Sequence, residues 1–145
     1  MFAQLGIGAL MIGVTTIIHA SFMVAAVGTV GWVLHHARLP LPHWKAAVVV
    51  SSFVLLMFGA VVVEVWAWAL LFVWGGVLPT LEEATYFAVV TFSTLGYGDI
   101  VLGPDWRLLG SLAAVNGVIV FGWTTALVFI VVQKVYSRDG KGIQF

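Results

Sequence analysis

The sequence predicts an all-α membrane protein: three transmembrane helices, with a short re-entrant helix and a glycine-containing loop between the second and third. Composition is the first reason. Of 145 residues, 62% are hydrophobic and only 8% charged, whereas a soluble domain carries roughly 25% charged residues. Mean hydropathy is +1.12. So few charges cannot coat a water-facing surface, so the solvent is lipid. The second reason is length: the apolar stretches at residues 5–34, 46–77 and 106–133 all exceed the ~20 residues a bilayer requires. The third is the interruption at residues 79–105, where acidic residues, proline and glycine gather. The length implies one domain. Six basic and six acidic residues cancel, which argues against nucleic acid as a partner. Cysteine is absent, so there is no disulfide framework and no thiolate metal site. No nucleophile–base pair and no metal-ligand spacing stands out, so an enzyme is not expected.

Residues 1–45 make the first unit, an N-terminal helix and a loop. The chain opens without a basic segment, and its first apolar run is too long for a signal peptide, so a retained helix is expected. Ser21, Ala25 and Thr29 recur at spacing four, as do Ala9 and Gly13. Small residues at that spacing let another helix approach closely. His19 sits near mid-depth, with Thr15 and Thr16 one turn before it. Without repeated Arg or Lys, this is not an arginine-rich voltage sensor. Pro40 and Pro42 mark a loop over residues 35–45. His35, His36 and His43 read as solvated there, and Trp32 and Trp44 suit membrane boundaries.

Residues 46–135 form the second unit, and residues 136–145 a short polar tail. Residues 46–77 predict a helix whose outer third carries Trp66, Trp68 and Trp74 as an interfacial belt. Glu64 stands alone among Val61, Val62, Val63 and Val65. At ~1.5 Å per residue from the inner helix ends, His19 and Glu64 fall at matching depth, within about a turn. An intramembrane charge is costly and usually partnered. The two are therefore candidates for a buried polar pair, either pH-sensitive or bonded locally for structure.

Residues 80–93 predict the re-entrant helix. Pro79 precedes Thr80, and Glu83 stands three later as a capping box. The helix would end at Ser93, aiming its partially negative C-terminus at the next segment. That segment is Thr94-Leu95-Gly96-Tyr97-Gly98-Asp99, a run that reads as an ion-selectivity filter. A dehydrated cation needs replacement oxygens, and backbone carbonyls in stacked rings provide them. Successive carbonyls face one way only if the backbone alternates in hand, and Gly96 and Gly98 supply positive-φ positions. The Thr94 hydroxyl can add a further ring, and Asp99 places negative charge at the outer mouth. The last helix begins at Trp106 and Arg107 after a Gly103-Pro104 turn. Arg38, Lys45, Lys134, Arg138 and Lys141 flank the spans on one side, which the positive-inside rule assigns to the cytoplasm. The N-terminus and the acidic Glu82, Glu83, Asp99 and Asp105 would then lie outside.

From about Glu64 to Gln133 the sequence resembles the pore unit of potassium channels, with one extra helix in front. The resemblance implies K⁺ as the transported ion, bound at Thr94, Leu95, Gly96 and Tyr97, with Gly98 completing the filter. It also implies a homotetramer in membrane lipid, in a cell membrane of bacterial inner-membrane type. Tyr86 and Phe87 fall where the family places aromatics that support the filter, bracing Tyr97 from behind, with Asp99 bonded to Tyr86. Gly117 matches the family's inner-helix hinge and Phe121-Gly122 a second pair, with Val118, Phe121 and Thr125 lining the cavity. Val90 replaces a glutamate of some members, and Leu95 a commoner Val or Ile. Two alternatives stay open: a weakly selective cation channel on the same fold, and a non-conducting subunit of a transport complex. No gating stimulus is legible.

Overall fold

The computed structural model describes residues 2–37 and 41–137. Among them every regular element is a helix: α1 Phe2–His36, α2 His43–Trp74, α3 Leu81–Phe92 and α4 Arg107–Ser137. Helices α1, α2 and α4 are long and apolar enough to cross a membrane. α3, at 12 residues, is not. α1 packs on α2 and α4, and α3 packs on the same two helices without meeting α1. Arg38, Arg138 and Lys141, part of the orientation argument, lie outside the described residues.

The helix ends obey local chemistry. α2 starts at His43, three residues earlier than expected, because Pro42 serves as N-cap in extended geometry. Proline loses nothing at a position whose N–H would be unsatisfied. α2 stops at Trp74 rather than residue 77 because Gly76 turns left-handed at φ +65°. The Gly76 N–H then donates to the Val73 carbonyl at 3.0 Å and the Val77 N–H to the Phe72 carbonyl at 2.9 Å. This pair of bonds is the Schellman closure, with glycine at the left-handed position, where it carries no Cβ penalty. α4 continues to Ser137, past the expected end near residue 133.

Two apolar clusters make up the core. One joins Trp68 and Phe72 of α2, Phe87 and Phe92 of α3, and Leu109 and Ala113 of α4. The other joins Ala26, Val30 and Leu34 of α1, Phe53 and Met57 of α2, and Val131 and Val135 of α4. Buried polar residues fall between them in sequence on α1 (Thr15, His19) and on α2 (Glu64), while Asn116 of α4 lies within the first cluster, between Ala113 and Val120.

Within one chain the contact face of α1 is not the small-residue stripe. Ser21, Ala25, Thr29, Ala9 and Gly13 are all exposed, and the Ser21 and Thr29 hydroxyls bond carbonyls four residues back. The buried stripe is Gly8, Thr15, His19, Ala26, Val30 and Leu34. Close approach occurs at Gly8, where any Cβ would collide with the Leu112 side chain. Trp68 is a second departure. Trp66 and Trp74 are exposed as a belt requires, but Trp68 is fully buried in the core.

Candidate functional site

The 94–99 loop is positioned by α3, and α3 by its cap. The Thr80 hydroxyl accepts the Glu83 N–H at 3.2 Å, while Glu82 and Glu83 sit in the first turn, where the dipole favours them. At the other end Ser93 is the C-cap. The Thr94 N–H donates to the Thr91 carbonyl at 2.9 Å, and the Leu95 N–H to the Val90 carbonyl at 2.9 Å. This is the same Schellman closure that ends α2, but the left-handed residue is Thr94 at φ +59°. A β-branched residue there costs roughly 1–2 kcal/mol, and such strain collects where function requires a particular backbone path.

Beyond Thr94 the handedness alternates. Gly96 at φ +57° and Gly98 at φ +80° are left-handed, while Leu95 and Tyr97 between them are not. The Gly96 N–H also turns back to the Val90 carbonyl, at 3.2 Å. A trans peptide sets its C=O opposite its N–H. With the amide hydrogens of Thr94, Leu95 and Gly96 turned back on α3, the carbonyls of Ser93, Thr94 and Leu95 face away from the helix. Successive oxygens are thereby presented on one side of the loop. No substitution at Gly96 or Gly98 is barred by neighbours; the demand there is conformational.

The outer end is tied down. The Tyr86 hydroxyl donates to Asp99 Oδ2 at 2.6 Å. That bond lowers the Asp99 pKa and raises that of Tyr86, since it favours the ionised carboxyl and the protonated phenol. Phe87 is buried. It lies in the core, edge-on to Phe72 with ring centroids 5.3 Å apart, and against Gly110. It also lines one cavity with Gly96 and Gly98 of the loop. Leu95 and Tyr97 are 56% and 65% exposed, so one chain leaves the loop's side chains uncovered.

α4 lies alongside. Gly117 is in contact with the end of α3: a Cβ there would overlap the Phe92 carbonyl oxygen and sit 2.7 Å from its carbon. The helix runs unbroken through Gly117 and Gly122, and Gly122 has open space around it. Val118, Phe121, Gly122 and Thr125 are exposed. The Phe121 ring also meets Phe92 edge-on, at 5.9 Å.

His19 and Glu64 come together, His19 Nδ1 lying 2.9 Å from Glu64 Oε1 with both side chains fully buried. Two partners escaped sequence reasoning. Asn116 Nδ2 donates to Thr15 Oγ1 at 2.8 Å, and Thr124 Oγ1 lies 3.3 Å from His19 Nε2. The signal for Asn116 was available: an amide in a lipid-spanning helix seeks a partner. Glu64 Oε2 and Trp68 Nε1 are buried without one.

Residues 52–134 match a protein-family model described as ion channel. The match begins within α2, covers α3 and the loop, ends in α4, and leaves out α1. No curated protein and no solved structure matches the chain.

Proposed function

Since the chain belongs to the ion channel family, we propose that it forms a potassium-selective pore, assembled from four copies around a common axis. K⁺ crosses the membrane passively, its water replaced by main-chain oxygens of Thr94, Leu95, Gly96 and Tyr97, with the Thr94 hydroxyl at the inner mouth. The observation that carries this reading is the loop backbone. Left-handed residues alternate at 94, 96 and 98, and the amide hydrogens of 94–96 turn back on α3. That geometry offers carbonyls, the ligand a dehydrated alkali cation requires.

One loop supplies one column of oxygens, and a ring around an ion needs several. The exposed Leu95 and Tyr97 fit a surface completed by further copies. Four copies of α3 would each aim a partially negative C-terminus at the axis, favouring a cation in the water-filled space below. Val118, Phe121 and Thr125 would line that space. Re-entrant backbone at membrane depth is tolerated under just these conditions, covered by protein or lining water. Lys45 and Lys134 would face the cytoplasm and Glu82, Glu83, Asp99 and Asp105 the outside, concentrating cations at the entrance.

Purified protein in planar bilayers tests this. When Na⁺ replaces K⁺ on one side, the reversal potential should track the K⁺ gradient. A reversal potential indifferent to that replacement would identify a weakly selective cation channel instead, and absence of flux a non-conducting subunit. Mass measurement in lipid nanodiscs should give four chains, and a monomer would end the proposal.

A further inference from the structure

We infer that α1 is a brace for the inner helix α4, and that His19 is the positioning residue through which it acts. The inference rests on the pore reading for its consequence, though not for its geometry. The hydrogen-bonded chain runs from Glu64 on α2 through His19 on α1 to Thr124 on α4, with distances of 2.9 and 3.3 Å. Trp123, next to Thr124, packs its ring on His19 at 4.9 Å between centroids. A second link lies nearer the outer surface, where Asn116 donates to Thr15, whose own hydroxyl donates to the Met11 carbonyl at 2.9 Å. The two links grip α4 on either side of Gly117, where the end of α3 abuts it. They also bracket Val118 and Phe121 and end beside Thr125. α1 therefore holds the part of α4 proposed to line the cavity, although it lies outside the residues matched to the family.

Apolar packing does not explain these residues. Lipid tails are as apolar as leucine, so helices gain nothing hydrophobic by meeting. A histidine and a carboxyl at this depth are costly unless bonded. What they add is direction and a shared proton. One proton must lie between Nδ1 and Oε1. If Glu64 is a carboxylate and His19 carries its hydrogen on Nδ1, then Nε2 accepts from the Thr124 hydroxyl. Adding one proton to the pair puts a hydrogen on Nε2, which then donates to Thr124 Oγ1. The polarity of the bond to α4 thus depends on the proton count of the pair. The groups facing the ring are Glu64 from α2, and Thr124 and Trp123 from α4. Among the described residues no other ion pair is formed.

The test uses the full chain in bilayers, recording unit conductance, reversal potential and open probability between about pH 5 and 9, the range where histidine chemistry responds. Thr124→Val removes the bond at nearly constant volume. It should leave conductance and reversal potential unchanged and shift open probability by on the order of tenfold, a common size for coupling between sites. Thr124→Ser should restore the wild-type value. Glu64→Gln still bonds His19 but takes the carboxyl out of the shared proton, so it should shift the pH dependence of open probability. Wild-type open probability in both Thr124→Val and Glu64→Gln at every pH would overturn the inference while leaving the pore reading standing. Should the protein not conduct, thermal unfolding of His19→Gln, Thr124→Val and the double variant decides independently of the pore. Non-additive effects support the brace, and additive ones overturn it.

Discussion

Gly117→Ala and Gly122→Ala should act in opposite directions, though both add one methyl group to the same helix. At Gly117 the new Cβ would overlap the Phe92 carbonyl oxygen, lie 2.7 Å from its carbon and 3.0 Å from its Cα. These are backbone atoms at a helix end already fixed by the turn into the 94–99 loop, so they cannot swing aside as a side chain would. Overpacking costs about 1–3 kcal/mol, and a backbone obstacle puts this case near about 3. Replacing a helical glycine by alanine returns about 0.5–1 kcal/mol, leaving a net loss of about 2 kcal/mol. At Gly122 nothing lies within 4 Å of the added atom, so the helix-propensity gain of about 0.5–1 kcal/mol stands alone. The two variants should therefore differ by about 3 kcal/mol in denaturant unfolding from mixed micelles. Gly117→Ala should also change K⁺/Na⁺ selectivity, since its relief must come from moving α3 and the loop it carries. A hinge-only role for Gly117 predicts something else: stiffer gating, with stability equal to or above wild type. Equal stability of the two variants, with selectivity intact in both, would refute the contact argument.

Three further outcomes are expected. Gly98→Ala forces an L residue to φ +80°, at roughly 1–2 kcal/mol of strain. K⁺ over Na⁺ discrimination in liposome flux should fall or flux should cease, while circular dichroism stays unchanged. The Asp99–Tyr86 tie should be acid-labile with a definite sign. The folded-state pKa of Asp99 is below that of an unfolded aspartate, so the tie is fully present above the ordinary carboxylate range. It is lost as pH falls through the lowered value. In Tyr86→Phe the Asp99 carboxyl titration, tracked by carbon NMR, should move back up toward the ordinary range. Trp68→Phe removes a buried N–H that has no partner. An unsatisfied buried donor costs about 1–3 kcal/mol, so this variant should unfold no earlier than wild type despite the lost ring area.

The readable parts of the sequence were those where chemistry is local. The Thr80–Glu83 cap and the glycine alternation of the loop need only neighbours along the chain. Counting residues into the membrane gave the matched depth of His19 and Glu64, because helical rise is constant. Helix facing was not readable. When lipid on one side is as apolar as protein on the other, the period-3.6 contrast that orients a soluble helix disappears. Trp68 therefore looked like a belt residue although it is buried, and the Ser21–Ala25–Thr29 stripe is not the face that α1 turns to the helices of its own chain. Gly117 illustrates a different gap: glycine for flexibility and glycine for close approach are spelled alike, and only the position of Phe92 tells them apart. Thr94 in left-handed geometry runs against its own residue preference, so no propensity argument could find it.

Loss of facing information poses the same problem to the protein as to a reader of its sequence: something other than hydrophobicity must set the register of α1. Three contacts on one stripe do so. Gly8 lies under Leu112, Thr15 meets Asn116, and His19 sits between Glu64, Trp123 and Thr124. Residue numbers rise together on both helices, so α1 and α4 run in the same direction. A slip of one turn one way would bring Ile12 to the place of Gly8, so that the Leu112 side chain must swing aside, and Met23 to face Glu64, leaving that carboxyl without its histidine. A slip the other way would bring Met11 to the place of Thr15, stranding the Asn116 amide, and Thr15 to the place of His19. Each neighbouring register thus buries an unpaired polar group, at a few kcal/mol in an apolar medium. A bonded pair across transmembrane helices contributes only about 0.6 kcal/mol on average. The larger part of these polar residues' effect is therefore the exclusion of wrong registers, and Thr15→Val with Asn116→Leu should loosen the register of α1 more than it lowers stability. Cysteine pairs placed at the exposed faces of α1 and α4 would read this directly, as cross-links spread over neighbouring positions where wild type gives one. A single cross-link in the double variant would mean that Gly8 and His19 suffice.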